Sequence, residues 1–178
     1  MTNVPVLETE RLILRGMQRD DFDAHAALWA DPVVTRFIGG KPLAREEAWG
    51  SFTRYFGMWA LMGFGFWVVT DKSNGSRIGA VGFQERMRDI EPSIKDTLET
   101  GWTIAPRHGG KGLATEAVGA ALAWADQSMP ARRITCLIAP QNAASLRVAA
   151  KNGFREFART NYQGNEVMLL ERRKDGAG

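Results

Sequence analysis

The segment Trp102-Thr-Ile-Ala-Pro-Arg-His-Gly-Gly-Lys-Gly-Leu-Ala-Thr-Glu-Ala117 limits what this chain can fold into more than any other. An extended pattern ends at Ala105-Pro106, glycines follow at Gly109, Gly110 and Gly112, and a helical pattern begins at once. Glycines let a backbone turn tightly and approach a ligand, and the first N–H groups of a helix are unpaired donors at the positive end of its dipole. A strand, loop and helix joined this way can cradle a pyrophosphate, although a plain flexible connector has the same composition. Two other nucleotide sites are excluded. Lys111 is followed by Gly112 instead of Ser or Thr, so there is no P-loop, and no G-x-G-x-x-G opens a Rossmann unit here.

The flanking patterns supply the remaining elements. Arg11 to Gly16 reads as a short strand, and Asp20 to Ala30 as a helix ended by the Asp31-Pro32 step. Arg45 to Leu61 reads as a second helix with Trp49, Phe52, Phe56 and Trp59 on one face. Phe64 to Thr70 and Arg77 to Gln84 form a hairpin around Ser73-Asn74-Gly75-Ser76. Thr97 to Ala105 is a strand with Leu98, Trp102 and Ile104 on one face and Glu99, Gly101 and Thr103 on the other. The helix opening near Gly112 carries a stripe of small residues (Ala114, Ala117, Ala121, Ala125) that suits close packing on a sheet, and it stops before Pro130. Ile134 to Ala139 is a strand. A helix follows, with Asn142 as N-cap, Lys151 in its last turn and Gly153 just past its end. Phe154 to Arg159 and Glu166 to Glu171 pair around Gln163-Gly164-Asn165. Strands with interspersed helices predict an α/β sandwich.

At 178 residues the expectation is a single domain over 1–178, with its core from residue 9 to 173 and a flexible tail at 174–178. No apolar run approaches the roughly 18–20 residues of a membrane span, so no membrane partner is expected. Acidic Glu8 and Glu10 stand where a signal peptide would be apolar. Cys136 has no cysteine to pair with, and with only His25 and His108 besides it cannot complete a metal cage. These features predict a cytoplasmic protein with no metal. Net charge is only +3, with Lys and Arg dispersed among acids, and the densest cluster, Arg172-Arg173-Lys174, adjoins a Gly-rich end. Nucleic acid is therefore not an expected partner.

Three ordered motifs then carry a resemblance. Arg107-x-x-Gly110-x-Gly112 with Ala114 resembles the [RQ]-x-x-G-x-[GA] acetyl-CoA motif of the GNAT superfamily of N-acetyltransferases. Asn142-Ala-Ala-Ser145-Leu-Arg-Val-Ala-Ala-Lys151-Asn-Gly153-Phe154 and the opening Thr9-Glu10-Arg11-Leu12-Ile13-Leu14-Arg15 resemble its RimJ/RimL-like branch. The resemblance implies a GNAT fold: a central mixed, mostly antiparallel sheet flanked by helices and splayed between its fourth and fifth strands, here 98–105 and 134–139. It implies acetyl-CoA as cosubstrate. The pantetheine arm would bond to main chain near Thr103, Ile104 and Ala105. The pyrophosphate would rest on the N–H groups of His108, Gly109, Gly110, Lys111, Gly112, Leu113, Ala114 and Thr115, with Arg107 and Lys111 adding charge. Asn142 and Ser145 would line the thioester end, and Lys151 would approach the nucleotide phosphates. A homodimer is a further expectation, resting on the resemblance and on the aromatic excess of the N-terminal half.

Acetyl transfer needs a neutral amine, a stabilised oxyanion and a proton for the departing thiolate. Glu99 is the candidate base, by its strand position and by likeness to a family glutamate, with Glu91, Asp96 and Glu166 as alternatives. The family's usual acidic tyrosine is replaced by Ala149, which leaves Ser145 or a water. Cys136 is read as a buried strand residue, favouring direct attack over an acetyl-cysteine. Trp29, Trp49, Tyr55 and Trp59 are candidates for an acceptor pocket, or equally for core. Protein N-termini, amino acids, polyamines and amine antibiotics all fit as acceptors, and a non-catalytic acyl-CoA-binding sensor or assembly module is the alternative function.

Overall fold

The computed structural model describes residues 3–172; the expected tail at 174–178 lies outside them. Strands β1 (Leu7–Glu8), β2 (Leu12–Arg15), β3 (Phe66–Asp71), β4 (Arg77–Gln84), β5 (Leu98–Ile104), β6 (Ile134–Ile138), β7 (Phe154–Tyr162) and β8 (Asn165–Arg172) form one sheet in the order β1-β2-β3-β4-β5-β6-β8-β7. Every neighbouring pair is antiparallel except β5 and β6. That parallel pair meets only at Leu98↔Ile134 and Glu99↔Thr135, and beyond it the strands part. The expected splay therefore stands where the resemblance put it.

The helices are α1 (Phe22–Trp29), the short α2 (Pro32–Thr35), α3 (Arg45–Met62), α4 (Leu113–Ser128) and α5 (Ala143–Lys151). Alternation along β3 sends Trp67 and Val69 into the core under α4, while Phe66 and Val68 face α3 with Phe52 and Tyr55. Small residues at Ala117, Ala121 and Ala125 are fully buried, which lets α4 lie close to the strands. Trp124 uses the remaining space, with ring centroids 5.1 Å from Trp67 and 5.5 Å from Trp59.

Two sequence expectations change. The buried face of α3 is Ala48, Phe52, Tyr55 and Trp59, whereas Trp49 and Phe56 are 43% and 46% exposed. At 100° per residue these two sit about 80° round from the buried stripe, so helical spacing had merged two adjacent faces. The Asp31-Pro32 step both ends α1 and starts α2, because the Asp31 carboxylate accepts from Val33 N–H and Pro32 fills the first helical position.

On the α3 side of the sheet the cover has two parts. α3 spans β3 and β4, and the irregular segment after β4 lays Ile90 and Ile94 against Leu169 beside Leu137, Phe157 and Tyr162. Between these covers runs β5, carrying Glu99, Gly101 and Thr103 on this face. An added Cβ at Gly101 would come 3.0 Å from the Phe66 ring, which shows how closely that ring overhangs the strand.

Candidate active site

The main-chain phase of β5 decides what the splay offers a ligand. Leu98 N–H donates toward β6, to Arg133 O, and Ala105 N–H donates to Ile78 O on β4. Main-chain groups alternate along a strand, so even-numbered residues address β6 and odd-numbered ones β4. Thr103 O confirms the phase, since it lies against the place where a Cβ on Gly79 of β4 would stand. Of the main-chain groups expected to face the splay, Ile104 does. Thr103 and Ala105 turn to β4, and Trp102 joins Ile104 in their place.

At the end of β5 a 3-10 turn (Pro106–His108) leads into the glycine loop. His108 and Gly109 N–H groups are consumed by that turn, donating to Ala105 O and Pro106 O, so the expected donor set shrinks at its start. For Gly110 to Thr115 no acceptor of the N–H groups occurs among the described residues. Gly110 and Gly112 have φ of +74° and +77°, the left-handed region in which glycine carries no Cβ penalty, and Gly112 is the N-cap of α4 without any side-chain cap. Arg107 and Lys111 are exposed beside these donors. Slight burial and then those two positive charges lower the His108 pKa.

Two residues that sequence reasoning missed brace the cradle. Glu116, in the first turn of α4, accepts from Thr9 Oγ1 (2.6 Å), Arg11 N–H (2.9 Å) and Arg11 Nε (2.7 Å), while Arg11 Nη1 donates to Lys111 O (2.9 Å). Burial works to raise the Glu116 pKa, but these bonds outweigh it and the net shift is downward. A carboxylate in the first turn of an anion-binding helix was the available signal, because it calls for a neutralising cation.

Asn142 caps α5 as expected, its Oδ1 accepting from Ser145 N–H at 3.1 Å. The Ser145 hydroxyl is half-buried, and no hydrogen bond is formed by it among the described residues. At the other end of α5, Asn152 Nδ2 reaches Thr115 O (3.4 Å) in the first turn of α4, which brings the exposed Lys151 to the cradle's flank. Between α1, the start of β4 and the 105–107 turn opens a cleft of about 390 Å³ with Asp31, Arg77 and Arg107 on its rim.

Glu99 is not displayed to solvent; it is 5% exposed. Its Oε1 accepts from Gln84 Nε2 (2.7 Å) and Arg88 Nη2 (2.6 Å), and its Oε2 from Arg88 Nε (2.7 Å). Burial alone would lower the Arg88 pKa; the Glu99 contacts raise it on balance, and the guanidinium also lies 4.5 Å from the Tyr162 ring centroid. An amine proton would have to compete with a bidentate arginine for this carboxylate. Glu91 and Asp96 are exposed, and Glu166 pairs with Arg159. Cys136 is buried, which pushes its thiol up, and the Glu99 charge adds to the effect. The four candidate pocket aromatics do not form a box: Tyr55 stacks under Phe66, while Trp59 lies in the opposite core against Trp67. Among the described residues no cluster of His, Cys, Asp or Glu is arranged to hold a metal, and no helix is long and apolar enough to cross a membrane.

A parallel-pair splay, an open main-chain edge on β5 and an unfilled donor cradle at the next helix together define a CoA-type acyltransferase site. Residues 11–155 match the acetyltransferase (GNAT) domain family. A Bordetella pertussis protein assigned to the GnaT family of acetyltransferases is 35% identical, with 96% of this chain and 100% of that chain covered at a TM-score of 0.84. The uncharacterised protein YkkB of Bacillus subtilis is 30% identical over 172 residues, 94% of this chain and 95% of that one. The ribosomal-protein-S5-alanine acetyltransferase of Vibrio fischeri, at 19% identity with 98% of this chain and 100% of that chain covered, shares the fold with a TM-score of 0.73. This chain belongs to the GNAT acetyltransferase family and is an acyltransferase.

Proposed function

We propose that the protein is an N-acetyltransferase of one domain that moves the acetyl group of acetyl-CoA to a primary amine by direct attack in a ternary complex. The observation that carries this reading is the run of unpaired N–H groups from Gly110 to Thr115, set between Arg107 and Lys111 at the open end of the β5 edge. Bound acetyl-CoA supplies a thioester already activated toward amines. Gly110 to Thr115 would hold the pyrophosphate, Trp102 and Ile104 main chain the pantetheine, and Lys151 the nucleotide phosphates.

The residues of this chain then divide the remaining work. The Ser145 hydroxyl, without a partner among the described residues, would pass a proton to the departing thiolate and regain one from the water that takes the amine proton. Asn142 holds the start of α5 that carries it. We read Glu99 as the anchor of Arg88, with the amine proton passing to water in the groove, because both carboxylate oxygens are already engaged.

Calorimetry with acetyl-CoA, followed by thiol release across a panel of amines, tests the reading. Binding with release supports transfer, whereas binding without release from any amine supports the non-catalytic acyl-CoA-binding module. The RimJ/RimL-like branch, resting on the Asn142 to Phe154 motif, and a cytoplasmic location, resting on a lone buried cysteine, belong to the same proposal. So does a homodimer, to which exposed Trp49, Phe56 and Leu61 on α3 are suited, and which would sediment at about twice 19.7 kDa.

A further inference from the structure

Beside the turn that opens the glycine loop lies a cleft whose charge acetyl transfer does not use. Ala105 N–H donates to Ile78 O (2.8 Å), and just beyond this rung Arg77 starts β4 and Arg107 sits in the 3-10 turn. Both line the cleft of about 390 Å³ under α1, with Asp31 the one acid among its described lining residues and Ala27, Leu28 and Pro106 in its apolar walls. That volume falls in the range of small-molecule sites.

Neither guanidinium meets a carboxylate among the described residues. Arg77 Nη1 donates to Asp21 main-chain O and Nη2 to His25 Nδ1 (3.3 Å), both neutral acceptors, and its Nε is buried without a hydrogen-bond partner. The Asp21 carboxylate behind it is committed to Arg15 by two bonds of 2.8 Å. Arg107 Nε donates only to His108 Nε2 (3.1 Å). The paired and unpaired arginines differ accordingly: the Asp21 bond raises the Arg15 pKa, whereas burial pulls that of Arg77 down to about 10. Asp31 Oδ1 accepts from Val33 N–H (2.8 Å), and its Oδ2 makes no hydrogen bond among the described residues.

Two cations against one acid leave the cleft with surplus positive charge, which favours an anion and repels a cationic amine. A carboxylate brings one charge and two acceptor oxygens. A phosphomonoester brings about −1.5 to −2 at neutral pH and three acceptor oxygens, enough to serve both guanidinium groups, and a hydroxyl on its body would meet Asp31 Oδ2. We propose that this cleft is a second anion site beside the donor cradle and that it takes a phosphomonoester of a small hydroxylated molecule. Two sources have this chemistry: a free sugar phosphate, and the 3′-phosphoribose of the donor, which is attached to the pyrophosphate on the cradle that Arg107 adjoins. The second source rests on the acetyltransferase reading; the first does not.

Calorimetry on the full chain separates them. CoA is titrated beside 3′-dephospho-CoA, and ribose 5-phosphate beside ribose, the latter pair with and without saturating dephospho-CoA. CoA binding tighter than dephospho-CoA by about tenfold or more, the size expected for one charge-assisted contact, assigns the cleft to the donor. Ribose 5-phosphate binding alongside dephospho-CoA, with none by ribose, assigns it to a separate phosphate. Either result must also respond to Ala27→Glu, which adds a carboxylate to the cleft from an exposed position on α1. That variant should weaken CoA or ribose 5-phosphate by about tenfold and leave dephospho-CoA where it was. Arg77→Gln should act the same way; because Arg77 also ties β4 to α1, Ala27→Glu decides if that variant fails to fold. Equal affinities for the two CoA forms with no ribose 5-phosphate binding, or a preference that survives Ala27→Glu, overturns the proposal. Ribose 5-phosphate binding without either CoA form overturns the acetyltransferase reading alone, and the absence of all three overturns both.

Discussion

His25 is completely buried, and its bonding fixes its tautomer. Arg77 has no acceptor to offer, so its Nη2 donates to His25 Nδ1 (3.3 Å); His25 Nε2–H then donates to Ser51 Oγ (2.7 Å), which donates to Ala48 O (3.0 Å). This chain of bonds ties β4 to α1 and α3 and has no place for a second ring proton. Burial, with the charges of Arg77 and Arg54 added, pushes the imidazole down to about 3. A base whose folded value is depressed stabilises the fold above its unfolded value and loses that contribution as pH falls. The loss begins near the ordinary 6.5 and continues toward 3. At pH 5 it amounts to about 2 kcal/mol, from 1.36 kcal/mol per unit over the 1.5 units below 6.5. Any folded value below about 4 gives the same figure, because the folded ring is neutral at pH 5 either way. Urea melts at pH 8, 6 and 5 measure it, in a window above the range where unfolded carboxylates titrate. His25→Gln should be less stable overall but should lose much less between pH 8 and 5. Full retention of stability at pH 5 by the parent, or an equal loss in the variant, would refute the reasoning.

Other outcomes follow from the site. Gly110→Val should weaken acetyl-CoA binding more than tenfold, as read by calorimetry. Its Cβ would meet nothing within 4 Å, so the cost to the fold comes from the +74° φ alone, about 1–2 kcal/mol. Arg11→Ala should leave Glu116 as an uncompensated charge beside the cradle and weaken acetyl-CoA binding by about tenfold, with Glu116→Gln in the same background restoring much of it; additive losses would sink the electrostatic account. Glu99→Gln strands the buried Arg88 charge and should cost about 3–5 kcal/mol in denaturant melts. If solvent takes the amine proton, the parent's kcat/KM should climb with pH until the free amine predominates, and a plateau reached near neutrality would return Glu99 to the role of base.

The glycine loop and the helix ends were legible because glycine spacing and helix starts are local codes: Gly110, Gly112, Asn142 and Gly153 each act within a few residues, whereas the splay was expected only from the family resemblance. The strand faces were legible too, but period two tells which side chains share a face and not which main-chain groups do; the Trp102 and Ile104 edge needed the Ala105 bond to β4. Glu99 was placed on the correct face but without its partner. Its partner Arg88 comes from an irregular segment without periodicity, so nothing local announced the pair. The same holds for Arg11 and Glu116, which lie 105 residues apart.

The two-residue join between β5 and β6 also bears on how the molecule coheres. Across that seam the backbone supplies almost no hydrogen bonding, yet Leu98, Ile134, Cys136 and Ile138 share one buried core with Val118, Ala121 and Leu122 of α4. The crossover helix acts as a splint, gluing two sheet fragments by side-chain packing from one side. An opening wide enough for a ligand therefore takes little cohesion from the fold, because at that place the fold never drew its cohesion from the main chain.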